Sequence, residues 1–94
     1  MTNASKKHDT MVAATRAFEE LRKMGVPVID IQDEGHFRIS GEENGDIIWA
    51  DYYQEYKMTY LDDFGVHKNI NKILAKHGLY AEWANPGYLN VYTA

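Results

Sequence analysis

The side chains best suited to ligate a metal, relay a proton or attack a substrate are four histidines (His8, His36, His67, His77) and two serines (Ser5, Ser40), in a chain with no cysteine. Their spacing assembles none of the sites such residues build. No HExxH, HxH or Cys/His pattern occurs, so a metal site is not expected. His67 follows Asp63 by four residues, a spacing that fits packing at a helix N-terminus. His36 stands beside Asp33 and Glu34 at a hairpin tip, where a metal would lack rigid ligands. Neither serine lies in a GxSxG elbow, and no glycine-rich loop precedes a helix to cradle phosphate. The carboxylate pairs Asp62-Asp63 and Glu42-Glu43 are sequence neighbours, which point apart in a turn. The expectation is a protein without catalytic residues, cofactor, metal or small-molecule substrate.

Two other constellations remain. Lys68, Lys72 and Lys76 recur every fourth residue and form a basic stripe on a helix, which suits phosphate contacts. The chain also carries 12 aromatic residues, and Trp49, Tyr52, Tyr53, Tyr56 and Tyr60 crowd one stretch, Ile47 to Tyr60. Read with period two, this stretch is a strand with Ile48, Ala50 and Tyr52 on one side and Trp49, Asp51 and Tyr53 on the other; from Gln54 onward a helical period fits as well.

The elements that must position these residues follow from local signals. Asp9 or Thr10 caps a helix to about Met24, with Met11, Ala14, Phe18 and Leu21 on its apolar side; residues 1–8 form a disordered tail ahead of a single domain, 9–94. Salt pairs Arg16–Glu20 and Glu19–Lys23 fit its wet side, Gly25 ends the helix, and Pro27 prevents its continuation. Val26 to Gln32 and His36 to Ser40 form a hairpin around Asp33-Glu34-Gly35. A three-residue loop there sets Ile31 against Phe37 and Ile29 against Ile39 on the core side. Asn44-Gly45 signals a second tight turn, which would pair Ile39 with Ala50 and Phe37 with Tyr52 and set Arg38 against Asp51 on the outer face.

Past Asp62 and Asp63, a helix from about Val66 to His77 turns Val66, Ile70, Ile73 and Leu74 inward and stops at Gly78. A last hairpin, Leu79 to Ala84 and Tyr88 to Tyr92, closes over Asn85-Pro86-Gly87 with a type II turn. The expected fold is α+β: an antiparallel sheet of four to five strands with two helices on one face, in the order α-β-β-β-α-β-β. Shifted by 53, Ala17, Leu21, Lys23 and Gly25 fall on Ile70, Leu74, Lys76 and Gly78. Shifted by 52, Ile29, Ile31, Phe37 and Ile39 fall on Ala81, Trp83, Leu89 and Val91, which suggests an internal αββ repeat with a one-residue slip between helix and hairpin.

In this arrangement the outer sheet face gathers Trp49, Tyr53, Tyr80, Tyr88 and Tyr92. Monomers seldom leave so much aromatic surface in water, and Trp and Tyr concentrate at interface hot spots. The leading expectation is therefore a non-enzymatic interaction or regulatory module that self-associates through this face, with a second copy or another protein as partner. The order helix, three strands, helix also resembles that of double-stranded-RNA-binding domains. The resemblance implies phosphate contacts by Lys68, Lys72 and Lys76, although Asp62 and Asp63 stand where such domains carry a basic cluster at the start of that helix.

Charge supplies a third reading. Residues 30–63 hold ten acidic residues against Arg38 and Lys57, a balance of −8 within a net charge of −4. This suits an acidic, phage-type accessory protein that mimics nucleic acid to block a partner. No apolar run marks a leader or a membrane span, and the lack of cysteine agrees with a cytoplasmic setting.

Overall fold

A computed structural model describes the backbone of residues 3–30 and 36–94, and the side chains of 11–30 and 36–94. Two helices pack on one face of a four-stranded antiparallel sheet, an α+β architecture. In chain order the elements are α1 (Asn3–Lys23), β1 (Val28–Asp30), β2 (Phe37–Ser40), α2 (Lys68–Lys76), β3 (Leu79–Asn85) and β4 (Tyr88–Thr93). The strands lie side by side in the order β1-β2-β4-β3.

α1 begins at Asn3, ahead of the expected cap at Asp9 or Thr10, so residues 3–8, expected as a tail, are helical; Ala4, Lys6 and Lys7 are good helix formers. Its buried stripe is Ala14, Ala17 and Leu21. The small alanines bring the helix close to the sheet, and Phe18 meets Phe37 edge-on at 5.4 Å. At its end, Gly25 adopts φ +92, the Gly25 N–H donates to the Arg22 carbonyl (3.0 Å), and the Val26 N–H donates to the Leu21 carbonyl (3.1 Å). This is a Schellman cap whose apolar partner, Val26, is buried beside Leu21.

One core cluster joins these side chains to Ile70 and Leu74 of α2 and to Phe37, Ile39, Leu79, Leu89 and Val91 of the sheet. Alternation along β4 is clean, with Leu89 and Val91 buried between the more accessible Tyr88, Asn90 and Tyr92. The last hairpin forms as expected, but its turn differs: the Gly87 N–H donates to the Asn85 side-chain oxygen (2.8 Å). Gly87 is not among the positive-φ glycines, so an Asx turn stands in place of the type II turn.

Two registers differ from expectation. β1 pairs Val28 with Ile39 and Ile29 with Arg38, which turns Ile29 to the outer face; a one-residue slip exchanges the faces of a strand. The Asp33-Glu34-Gly35 loop and the Ile31–Phe37 and Gln32–His36 pairings lie outside the described residues. The larger correction concerns Ile47 to Tyr60, which is no strand: β2 pairs with β4 instead, through Arg38↔Asn90, Ile39↔Leu89 and Ser40↔Tyr88. With both edges of β2 occupied, the stretch cannot pair with it. Among the described residues only two strands then precede α2, so the order shared with double-stranded-RNA-binding domains is not kept there.

The strand order is symmetric about the β2–β4 boundary, and Arg38 and Asn90, which are 52 apart, pair with each other there. Val28↔Ile39, Ile29↔Arg38 and Asp30↔Phe37 correspond to Ala81↔Val91, Glu82↔Asn90 and Trp83↔Leu89 when β1 is shifted by 53 and β2 by 52.

Candidate interaction surface

Residues 41–67 cross from β2 to α2 with only two isolated bridges, Ala50↔Val66 and Leu61↔His67. Irregular connections of this length in a compact domain are uncommon and tend to carry function or to be disordered. This one is held by polar side chains that occupy its backbone. The Trp49 N–H donates to the Asn44 side-chain oxygen (2.9 Å), and the Asn44 amide donates to the Ala50 carbonyl (3.0 Å), so Asn44 brackets the two buried residues where a hairpin turn was expected.

Asp62 accepts from the N–H groups of Phe64 and Val66 (2.8 and 3.0 Å) and from the Asn71 side chain (2.7 Å). Asp51, only 7% exposed, accepts from the Tyr56 N–H (3.0 Å). Gly65 closes the base of the crossing: at φ +81 its carbonyl accepts from the Asp51 N–H (2.7 Å), and a β-carbon there would stand 2.0 Å from the Asp51 carbonyl oxygen. Two of the acidic residues behind the −8 balance are therefore spent on holding this segment together. Glu42, Glu43, Asp46, Glu55 and Asp63 remain exposed.

The histidines serve structure here. His67 is the N-cap of α2, and its Nδ1 accepts from the Asn69 N–H at 3.0 Å, which places the proton of the neutral ring on Nε2. The ring is sandwiched between Trp49 (4.8 Å between centroids) and Tyr60 (4.6 Å), and burial lowers its pKa. His77 and Lys76 both reach Glu20 of α1, at 2.9 and 2.5 Å. The His77 contact, then that of Lys76, holds the Glu20 carboxyl below its ordinary range. Glu20 therefore ties α1 to α2 and does not pair with Arg16; Glu19 meets Arg22 at 3.9 Å, not Lys23. His36 Nε2 lies 3.0 Å from the Thr93 hydroxyl. Among the described residues, no group of three or more His, Cys, Asp or Glu is placed to hold a metal ion.

Of the five aromatics expected on the outer sheet face, three are there. Tyr80 and Tyr88 are 42% and 39% exposed, and Tyr92 is half-buried. Trp49 is a correction: at 6% exposure it belongs to the core, because the segment that carries it turns inward against the N-cap of α2, where its ring meets that of His67 at a tilt. Tyr53 is exposed, but on the irregular segment; it meets Tyr52 edge-on, and Tyr52 in turn meets Trp83. The Trp83 indole donates to the Phe64 carbonyl (2.8 Å), and the Phe64 ring is 72% exposed. This second cluster escaped sequence reasoning; the count of aromatics between Trp49 and Tyr60 was its only signal.

On the sheet itself, polar bonds organise the row. Arg38 lies over the Tyr88 ring, 5.8 Å from its centroid, and its Nε donates to the Asn90 side-chain oxygen (2.9 Å). Arg38 thus makes no pair with Asp51. The Asn90 amide donates to the Tyr92 hydroxyl (3.2 Å), and Tyr92 lies 5.7 Å from Tyr80. Tyr88, Arg38, Asn90, Tyr92 and Tyr80 form a linked row across β2, β4 and β3. The lysine stripe keeps Lys68 and Lys72 exposed, while Lys76 is engaged by Glu20.

No family model matches the chain, and comparison with curated proteins and with solved structures likewise yields no match. No described helix is long and apolar enough to cross a membrane.

Proposed function

We propose that the protein is a non-enzymatic interaction module whose binding surface is the helix-free face of the sheet, with a second copy of the chain as its partner. The observation that carries this reading is the row from Tyr88 through Arg38 to Tyr80: large rings in partial contact with water, held by neighbours within the row. Tyr and Arg are the residues that dominate interface hot spots, and a row already fixed by its own hydrogen bonds loses little side-chain freedom on binding. Ile29, turned outward by the β1 register, extends the apolar part of the face.

The non-enzymatic part draws support from the polar groups. Asp51, Asp62 and the Nδ1 of His67 are occupied by backbone N–H groups, so none is poised as an acid, base or nucleophile. The nucleic-acid reading loses support because Glu20 offsets one of its three lysines.

Sedimentation velocity at tens of micromolar, a range that detects a micromolar dimer, tests the proposal. The wild type is expected above monomer mass, and Tyr88→Ala, with unchanged circular dichroism, is expected to dissociate. A monomeric wild type, or association unaffected by Tyr88→Ala and Arg38→Gln, would refute it.

A further inference from the structure

Among the described residues the outer strands of the sheet are β1 and β3, and β3 (Leu79–Asn85) has β4 on one side and no strand on the other. Which backbone groups of β3 face outward follows from its pairing. The Ala94 N–H donates to the Gly78 carbonyl (2.9 Å), one step beyond the Leu79↔Thr93 pair, so Gly78 and Ala94 are a hydrogen-bonded pair. By the alternation of antiparallel ladders, Tyr80 and Glu82 direct their backbone groups to β4, while Leu79, Ala81 and Trp83 direct theirs away from the sheet. No backbone bond from the rest of the described chain reaches the Ala81 or Trp83 N–H groups. Natural edges are blunted by lysine, proline or short length. β3 has none of these three; the guards it does carry are the charge of Glu82 and the irregularity between Trp83 and Asn85.

We infer that the β3 edge pairs with β3 of a second copy, antiparallel about a two-fold axis at Ala81. Only registers that set odd residues opposite odd residues bring outward-facing groups together. An axis at Glu82 would place that carboxylate opposite its own copy, and one at Tyr80 would leave Trp83 beyond the partner strand. The axis at Ala81 sets Leu79 opposite Trp83 of the second copy on the helix side, and Tyr80 opposite Glu82 on the outer side. There the phenol hydroxyl can donate to the carboxylate. The two sheets become one of eight strands, and the aromatic rows of both copies join across the axis. This edge contact is separate from the face proposed above, and either can exist without the other.

The lack of native cysteine makes the register directly testable. Under mild oxidation, Ala81→Cys is expected to form a covalent dimer, since hydrogen-bonded partners lie about 5.5 Å apart between Cα atoms, within disulfide reach. Ala84→Cys, exposed on the same strand, sits opposite residue 78 of the copy and roughly 20 Å from its own equivalent, so it is expected to stay monomeric. Ala81→Pro removes an N–H that serves no bond among the described residues, and is expected to halve the molar mass with the circular dichroism spectrum retained.

Equal cross-linking by both cysteine variants overturns the register. A wild type that remains monomeric in light scattering at about 200 µM, where a micromolar dimer would be populated, overturns the pairing. If Ala81→Pro fails to fold, the two cysteine variants still decide. Association that is lost in Tyr88→Ala but kept in Ala81→Pro, with no cross-link at Ala81→Cys, places association on the face and overturns the edge pairing.

Discussion

Trp49→Ala distinguishes a tryptophan buried in the core from one on an outer sheet face. On an outer sheet face, the substitution would fall with other exposed changes, within about 0.5 kcal/mol of neutral. In the structure, Trp49 is 6% exposed, packs its ring on His67 at 4.8 Å, and has its backbone bracketed by Asn44. Truncating a buried tryptophan costs about 3–5 kcal/mol, from lost burial and the cavity left behind. Domains of this size have a total stability of roughly 5–14 kcal/mol, so the loss is a large fraction. At about 4–8 °C per kcal/mol, the melting temperature falls by at least about 12 °C. Urea unfolding followed by far-ultraviolet circular dichroism measures it without relying on tryptophan fluorescence. Tyr53→Ala, at a side chain 69% exposed, serves as the matched control and is expected to stay within about 0.5 kcal/mol of wild type. A loss below about 1 kcal/mol for Trp49→Ala, with an unchanged m-value, would refute the inward course of the segment.

Three further expectations probe that segment by the same unfolding assay. Gly65→Ala combines a left-handed backbone with a β-carbon 2.0 Å from the Asp51 carbonyl, and should cost about 2–4 kcal/mol. Gly25→Ala meets open space and should cost only about 1 kcal/mol; equal losses would contradict the close approach at Gly65. Asn44→Ala leaves the buried Trp49 N–H and the Ala50 carbonyl unpaired and should cost about 1–3 kcal/mol, whereas a neutral result would show that Asn44 is no bracket. Burial lowers the His67 pKa from 6.5, so the unfolded chain binds the proton first. Its contribution is present above about pH 6.5 and is lost as the pH falls through the depressed folded value. His67→Gln should flatten that part of the stability profile, and an unchanged slope between about pH 7 and 5 would argue against the buried neutral ring. Glu20 acts in a separate window, below its ordinary 4.5, where its contribution is lost on acidification.

How much of this was legible depends on the range of the signal. Gly25 and Gly78 mark both helix ends because a glycine at positive φ is a local requirement, and both adopt it. Ala14, Leu21, Ile70, Leu74, Leu89 and Val91 lie in the core, as helical and strand periods indicate. The site was half legible. Tyr80, Tyr88 and Tyr92 could be assigned to the outer face because their hairpin is closed by its own turn, which sets a register the chain can count. Trp49 could not, since its alternation was real but its partner strand was not. Three polar residues, expected in a turn (Asn44), on the outer face of a strand (Asp51) and ahead of a helix (Asp62), instead capture backbone groups of the crossing.

Local signals suffice for the elements that close within a few residues: the C-terminal ends of two helices, most of their inward faces, and a last hairpin. Which strand lies beside β2 is set by long-range packing, and from that choice the rest follows. β4 offers β2 the pairs Arg38↔Asn90 and Ile39↔Leu89, and with them Leu89 and Val91 for the core. Ile47 to Tyr60 offers only a plausible alternation. A strand edge accepts one neighbour, so this competition between segments far apart in the chain is settled by total burial, a quantity that no local pattern carries.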